Sequence, residues 1–214
     1  MLIIFDWDGT LQNTIEKIVV CMQKSAHEYG IGAPADEAVR DVIGLSLATA
    51  MDELFDDRLD QTQRDTLQAI YSRIYNHEDT TPTPFFEGAI DLLNKLRSEN
   101  YAIAVATGKR RRGLDRILAE HDLGHLFNAT RCADETASKP DPLMLEELLK
   151  VLEVPRSQAL MIGDSFYDMQ MAVNAGVSGI GITHGVHGCE RLIEGGAGRT
   201  IDSLTELQTL LLRC

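Results

Sequence analysis

Short apolar runs alternate with amphipathic stretches over most of this chain, and that alternation constrains the fold more than any other feature. Leu2 to Phe5 (LIIF), Tyr101 to Ala106 (YAIAVA), Ala159 to Ile162 (ALMI) and Ser178 to Thr183 (SGIGIT) read as buried strands, with Phe127 to Cys132 a weaker one. Gly88 to Asn100, Gly113 to His121, Asp141 to Glu153 and Tyr167 to Ala175 read as helices between them. Near-continuous apolar strands separated by helices imply a parallel sheet with both faces covered. Pro142 suits the first turn of its helix. Ser203 begins a last helix, and Glu206 three residues on completes a capping box.

Residues from about Asn13 to Thr81 break this rhythm. Thr14 to Tyr29, Ala35 to Ile43, Ser46 to Phe55 and Asp60 to His77 all read as helical, with no strand between them. Gly30 to Pro34 and Thr80 to Pro84 punctuate the segment. The expectation is an α/β chain: a Rossmann-like parallel core over residues 1–13 and 82–214, and a helical insert over residues 14–81 after the first strand.

Charge and cysteine content narrow the partners. The 214 residues are 44% hydrophobic and 25% charged, an ordinary globular composition, with a net charge of −13. Such a charge argues against a nucleic-acid backbone as partner. A small anionic substrate then needs local positive charge or a metal in its site. Leu2 to Phe5 is too short for a signal peptide's apolar region, and no stretch reaches the ~20 apolar residues of a membrane span. Cys21, Cys132, Cys189 and Cys214 lack CxxC spacing, so they read as reduced thiols in a cytoplasmic protein, without a zinc site.

The polar residues of chemical interest all follow predicted strands, where open parallel sheets bind ligands. Asp6 and Asp8 flank Trp7 after the first strand, in Asp6-Trp7-Asp8-Gly9-Thr10. Thr107-Gly108 follows YAIAVA. Asp164 follows ALMI, and Asp168 comes four residues later, so the two acids are expected to share a helix face. Lys139 lies in Ser138-Lys139-Pro140, just before a helix. Like charges ~4 Å apart repel by roughly 4 kcal/mol at an effective dielectric of about 20. Four carboxylates and one lysine therefore call for a hard divalent cation, and Mg²⁺ is the usual choice beside phosphate. Lys139 then neutralises the nucleophile and one phosphate oxygen, while the Thr107 hydroxyl and the Gly108 amide hold another.

The set DxDGT, a strand ending in Thr-Gly, Lys-Pro and GDxxxD, in this order along the whole chain, resembles the haloacid dehalogenase superfamily. The insert resembles the helical cap of the phosphoglycolate-phosphatase-like branch. The resemblance implies a Mg²⁺-dependent phosphatase acting on a small phosphorylated metabolite. In that scheme Asp6 is the nucleophile that forms an aspartyl-phosphate, and Asp8 is the general acid and base. Mg²⁺ is held by the Asp6 carboxylate, the Asp8 backbone carbonyl and Asp164, with Asp168 direct or through water. The superfamily's dehalogenases lack the second Asp of the first motif, so Asp8 argues for phosphoryl transfer. The rivals are a phosphomutase of the same cap type, a dehalogenase and a non-catalytic phospho-ligand sensor.

Other segments carry weaker expectations. Where the branch often has an acid, this chain has Asn13-Thr14, and Asn13 is expected to cap the following helix. Lys109-Arg110-Arg111-Arg112, the densest basic run, reads as a solvated or salt-bridging helix start in preference to a substrate-recruiting patch. His184 and His187 read as poor metal ligands. Met22, Met51, Phe55, Tyr71 and Tyr75 read as core of the insert, and Gly44 as a point where the insert approaches the site.

Overall fold

The computed structural model describes residues 1–55 and 59–212. The first strand, β1 (Leu2–Phe5), leads into four helices: α1 (Ile15–Tyr29), α2 (Asp36–Asp41), α3 (Leu47–Phe55) and α4 (Gln61–Arg73). A single π-helical turn, Ile74–Glu78, extends α4. The chain then alternates: α5 (Ala89–Ser98), β2 (Ala102–Thr107), α6 (Arg111–Glu120), β3 (Ala129–Cys132), α7 (Leu143–Val151) and β4 (Ala159–Gly163). It ends with α8 (Phe166–Ala175), β5 (Ser178–Ile182), α9 (Cys189–Glu194), β6 (Arg199–Ile201) and α10 (Leu204–Leu212).

All strands pair in parallel, in the order β3-β2-β1-β4-β5-β6. This is the doubly wound order of a Rossmann-like sheet, and the direction of winding reverses between β1 and β4. Side chains alternate across β1. Ile3 and Phe5 pack with Leu92, Leu96, Leu114 and Leu204 on one face, while Leu2 and Ile4 pack with Met144, Leu148, Met169 and Ala172 on the other. The sheet is thus the middle of three layers, which explains why its strands are apolar throughout.

The helices after β1 bury a separate apolar cluster that includes Val19, Met22, Val39, Met51, Phe55 and Leu67. The chain enters and leaves this group through two adjacent segments. There the Asn13 N–H donates to Pro84 O (2.8 Å) and the Phe86 N–H to Leu11 O (3.0 Å). Met22, Met51, Phe55 and Tyr71 belong to or pack against the cluster as expected.

Several local readings change. Asn13 is exposed and does not cap α1; Thr14 holds the N-cap position, and its hydroxyl is engaged elsewhere. Pro142 precedes α7 as its N-cap instead of lying in the first turn. Ser203 Oγ accepts the Glu206 N–H (3.1 Å), but the Glu206 carboxylate reaches the Asp202 N–H (3.0 Å) instead of its own cap residue. Strand β6 was not expected; at three residues it is too short to show a period. Among the described residues no helix is long and apolar enough to cross a membrane. Cys21, Cys132 and Cys189 are free thiols, and Cys214 lies outside the described residues.

Candidate active site

The carboxyl ends of β1 and β4, on either side of the winding reversal, carry the acidic centre. The Asp6 N–H donates to Ile162 O (2.9 Å), which continues the β1–β4 pairing one residue past the strand and fixes Asp6 at the crevice. Asp6, Asp164 and Asp168 each present an oxygen within 4.8 Å of one another, and all three are buried.

Asp168 does not reach this point through a shared helix face. Asp164 lies outside α8, Ser165 is the N-cap, and Asp168 is the third residue of the helix, closing a capping box. Asp168 Oδ2 accepts from Ser165 Oγ (2.6 Å) and the Ser165 N–H (3.1 Å), which leaves Oδ1 for Lys139 Nζ at 2.6 Å. Gly163 makes room: a Cβ there would lie 2.4 Å from the Asp168 side chain.

Asp164 is clamped between two backbone turns. A Cβ on Gly9, whose φ is +82°, would lie 2.1 Å from Asp164 Oδ2, and one on Gly185 would lie 2.2 Å from it. Thr10 Oγ1 donates to Asp164 Oδ1 (2.7 Å), and the Val186 N–H donates to Oδ2 (2.9 Å). The loop from His184 to Gly188, which no motif marked, therefore holds Asp164. The histidines of this loop take structural partners. His184 stacks on Phe86 (centroids 3.7 Å) with Nε2 3.1 Å from Thr10 O. His187 Nδ1 accepts the Phe166 N–H (2.9 Å), so its Nε2 carries the hydrogen and faces Asp41 Oδ1 of α2 at 3.1 Å.

Lys139 is buried between Asp6 Oδ1 (2.7 Å) and Asp168 Oδ1 (2.6 Å). Burial opposes its charge, but Asp168 and Asp6 outweigh burial and hold its pKa above the usual lysine range. Burial pushes the Asp6 carboxyl well above the ordinary carboxylate range; Lys139 pulls it down, while Asp168 and Asp164 raise it further. Burial and Asp168 push Asp164 up to about 7, against the Val186 N–H, Thr10 and Lys139. Both Asp6 oxygens are buried, and neither meets a donor in hydrogen-bonding geometry despite the short contact with Lys139. Three close carboxylates against one ammonium, with Asp6 Oδ2 left without any partner among the described residues, fit a hard divalent cation.

Asp8 sits apart from this cluster. Its Oδ1 accepts from Thr14 Oγ1 (2.5 Å) and Lys109 Nζ (2.7 Å). Thr14 thus serves the site, and Lys109 leaves the basic run to become an inward, nearly buried partner of Asp8. Arg111 keeps the expected salt-bridging role, with Asp115 (3.1 Å) and Glu135 (2.7 Å). Thr107 is buried at the end of β2, and its hydroxyl accepts the Lys109 N–H (3.2 Å). At Gly108 the insert touches the core: a Cβ there would lie 2.5 Å from Leu45 O and 2.8 Å from Gly44 O. Gly44 itself abuts Ser165, as its expected approach to the site requires.

A doubly wound sheet with a buried carboxylate cluster and lysine at its switch point defines a Rossmann-like α/β protein whose candidate active site lies at the carboxyl edge of the sheet. The chain belongs to the haloacid dehalogenase-like hydrolase family, whose profile matches residues 3–182. It is 30% identical to a phosphoglycolate phosphatase of Pseudomonas savastanoi pv. phaseolicola, over 96% of this chain and 78% of that protein. It is 26% identical to another of Vibrio parahaemolyticus, over 96% of this chain and 93% of that protein. A hydrolase structure from Pseudomonas syringae shares the fold, with a TM-score of 0.88 at 24% identity over 99% of this chain and 97% of that one.

Proposed function

We propose that this chain is a Mg²⁺-dependent, cytoplasmic phosphatase that hydrolyses a small phosphomonoester through an aspartyl-phosphate on Asp6. The observation that carries the reading is the Asp6 carboxylate, buried at the crevice with no aligned donor on either oxygen and Lys139 Nζ 2.7 Å away. The names of the relatives support a phosphomonoester as substrate class.

An Asp6 oxygen attacks phosphorus and the ester P–O bond breaks. Asp8 gives the departing alcohol its proton. It then takes a proton from the water that attacks the aspartyl-phosphate, and phosphate leaves as the Asp6 carboxylate is restored. Thr14 and Lys109 both engage Asp8 Oδ1, so Oδ2 is the oxygen left to carry the proton. Lys139 offsets charge on Asp6 and on a phosphoryl oxygen, and the Thr107 hydroxyl and Gly108 N–H hold another. Mg²⁺ would be held by Asp6, Asp164 and the Asp8 carbonyl, with Asp168 direct or through water. When bound, it supplies Lewis-acid compensation for the charge on the transferring group. Residues 14–81 form the cap domain that excludes water, over a core of residues 1–13 and 82–214.

Phosphate release from p-nitrophenyl phosphate tests the reading. Turnover should require Mg²⁺ and stop with chelator. Asp6→Asn should abolish it, and Asp8→Asn should slow it by about 10²–10⁴-fold, with the fold intact by circular dichroism. Unchanged turnover in either variant would refute the assignment.

A further inference from the structure

Between the insert and the carboxyl edge of the sheet lies a cavity of about 730 Å³. Asp6, Asp8 and Gly108 line it at the acidic centre. The wall from the insert is largely apolar, with Ile18, Met22, Val39, Val42, Leu47 and Tyr71. Opposite, Arg112, Gly113, Arg116 and Ile117 present one face of α6 to the same space.

This volume is not left by a raised insert. Insert and core are joined around it by Arg116 Nη1 to Asn76 Oδ1 (2.7 Å), the Ser46 N–H to Ser138 Oγ (2.9 Å), His187 to Asp41 (3.1 Å), and Arg110 to Gln68. Cavities of ~300–1,000 Å³ enclose drug-sized ligands. A phosphoester as short as phosphoglycolate is too small to fill this space and would leave much of the apolar wall to water, at a cost in hydrophobic free energy. The arginines ask for something else again. Arg112 has no carboxylate partner among the described residues, and Arg116, beyond its bond to Asn76, has as carboxylate only Glu120 at 3.6 Å among them. Like charges at i and i+4 on one helix face repel unless an anion joins them.

We infer that the substrate's leaving alcohol has an apolar body several carbons long, seated against Ile18, Val42 and Leu47, and ends in an anionic group bound by Arg112 and Arg116. This rests on the reading of Asp6 as the phosphoryl acceptor, and specifies what that reaction takes as substrate.

A series of ω-carboxyalkyl phosphates, with phosphoglycolate as its shortest member, tests the inference beside matched alkyl phosphates lacking the carboxylate. With Mg²⁺, kcat/KM should climb with chain length to about tenfold or more above phosphoglycolate, within what added methylenes supply in an apolar pocket. Each longer carboxylate should also outperform its plain alkyl counterpart. Arg112→Ala, a change at an exposed side chain, should erase the carboxylate's advantage mainly through KM, and Leu47→Ser should flatten the length dependence. A best rate with phosphoglycolate, or indifference to length and terminal charge, overturns this inference and leaves the phosphatase reading standing. Absence of phosphate release from every ester, p-nitrophenyl phosphate included, overturns both.

Discussion

Lys139 has carboxylates on two sides, and the acidic centre still carries more negative charge than it can balance. The excess shows at Asp164, whose carboxyl burial and Asp168 push up to about 7. Without metal, folded Asp164 keeps its proton from about pH 4 up to about 7, while the unfolded chain loses it near pH 4. The unfolded state then binds fewer protons across that window. Thermal melts in chelator should therefore show stability falling as pH rises from about 4 through 7, and Asp164→Asn should weaken that dependence. Mg²⁺ needs the ionised group, so its affinity should rise through the same window. Gly185 makes a second residue-scale case, because any side chain there must displace Asp164. Gly185→Ala should keep the fold and weaken Mg²⁺ binding by about 10–100-fold, as loss of a ligand's support does. Isothermal titration of both proteins measures it, and equal affinities would show that Gly185 does not hold the ligand in place.

The elements explain what the sequence disclosed. Asp6, Asp8, Thr107, Lys139 and Asp164 could be picked out as candidates because each follows an apolar strand or precedes a helix with a clear boundary; Asp168 was picked out for a shared helix face, whereas it closes the capping box of α8. Lys109 was not, because a run of like charges reads as a wet surface, and nothing local reveals that β1 and β2 pair so as to bring Asp8 to it. The same limit hid Thr10 and Val186, whose bonds to Asp164 depend on how loops meet; Ser165, the N-cap of α8, is local and went unread. Where the insert rejoins the core, Asp79 accepts from Lys24 Nζ (2.7 Å) and the Thr81 N–H (2.9 Å). Burial raises the Asp79 carboxyl, but these bonds outweigh it and hold the group at about 2. Its contribution is thus present above about pH 4 and lost as pH falls toward about 2. Urea unfolding of Asp79→Asn should show lower stability than the parent at pH 7, with the gap narrowing over that acid range. A gap independent of pH would place the effect elsewhere.

At the scale of the molecule, a sheet that winds outward in both directions from β1 and β4 opens its crevice where Asp6 and Asp164 emerge, and the insert closes over that opening. Architecture puts the acids in a water-poor place, and in the proposed reaction a bound cation would offset the excess negative charge there before a phosphoryl group could approach. Acid-quenching the enzyme during turnover of p-nitrophenyl phosphate with Mg²⁺, then reducing with borohydride and sequencing the peptides, reads the covalent step directly. Conversion of Asp6 to homoserine, absent without substrate and at every other aspartate, is the predicted result. An unmodified Asp6 in enzyme that is turning over would contradict the account.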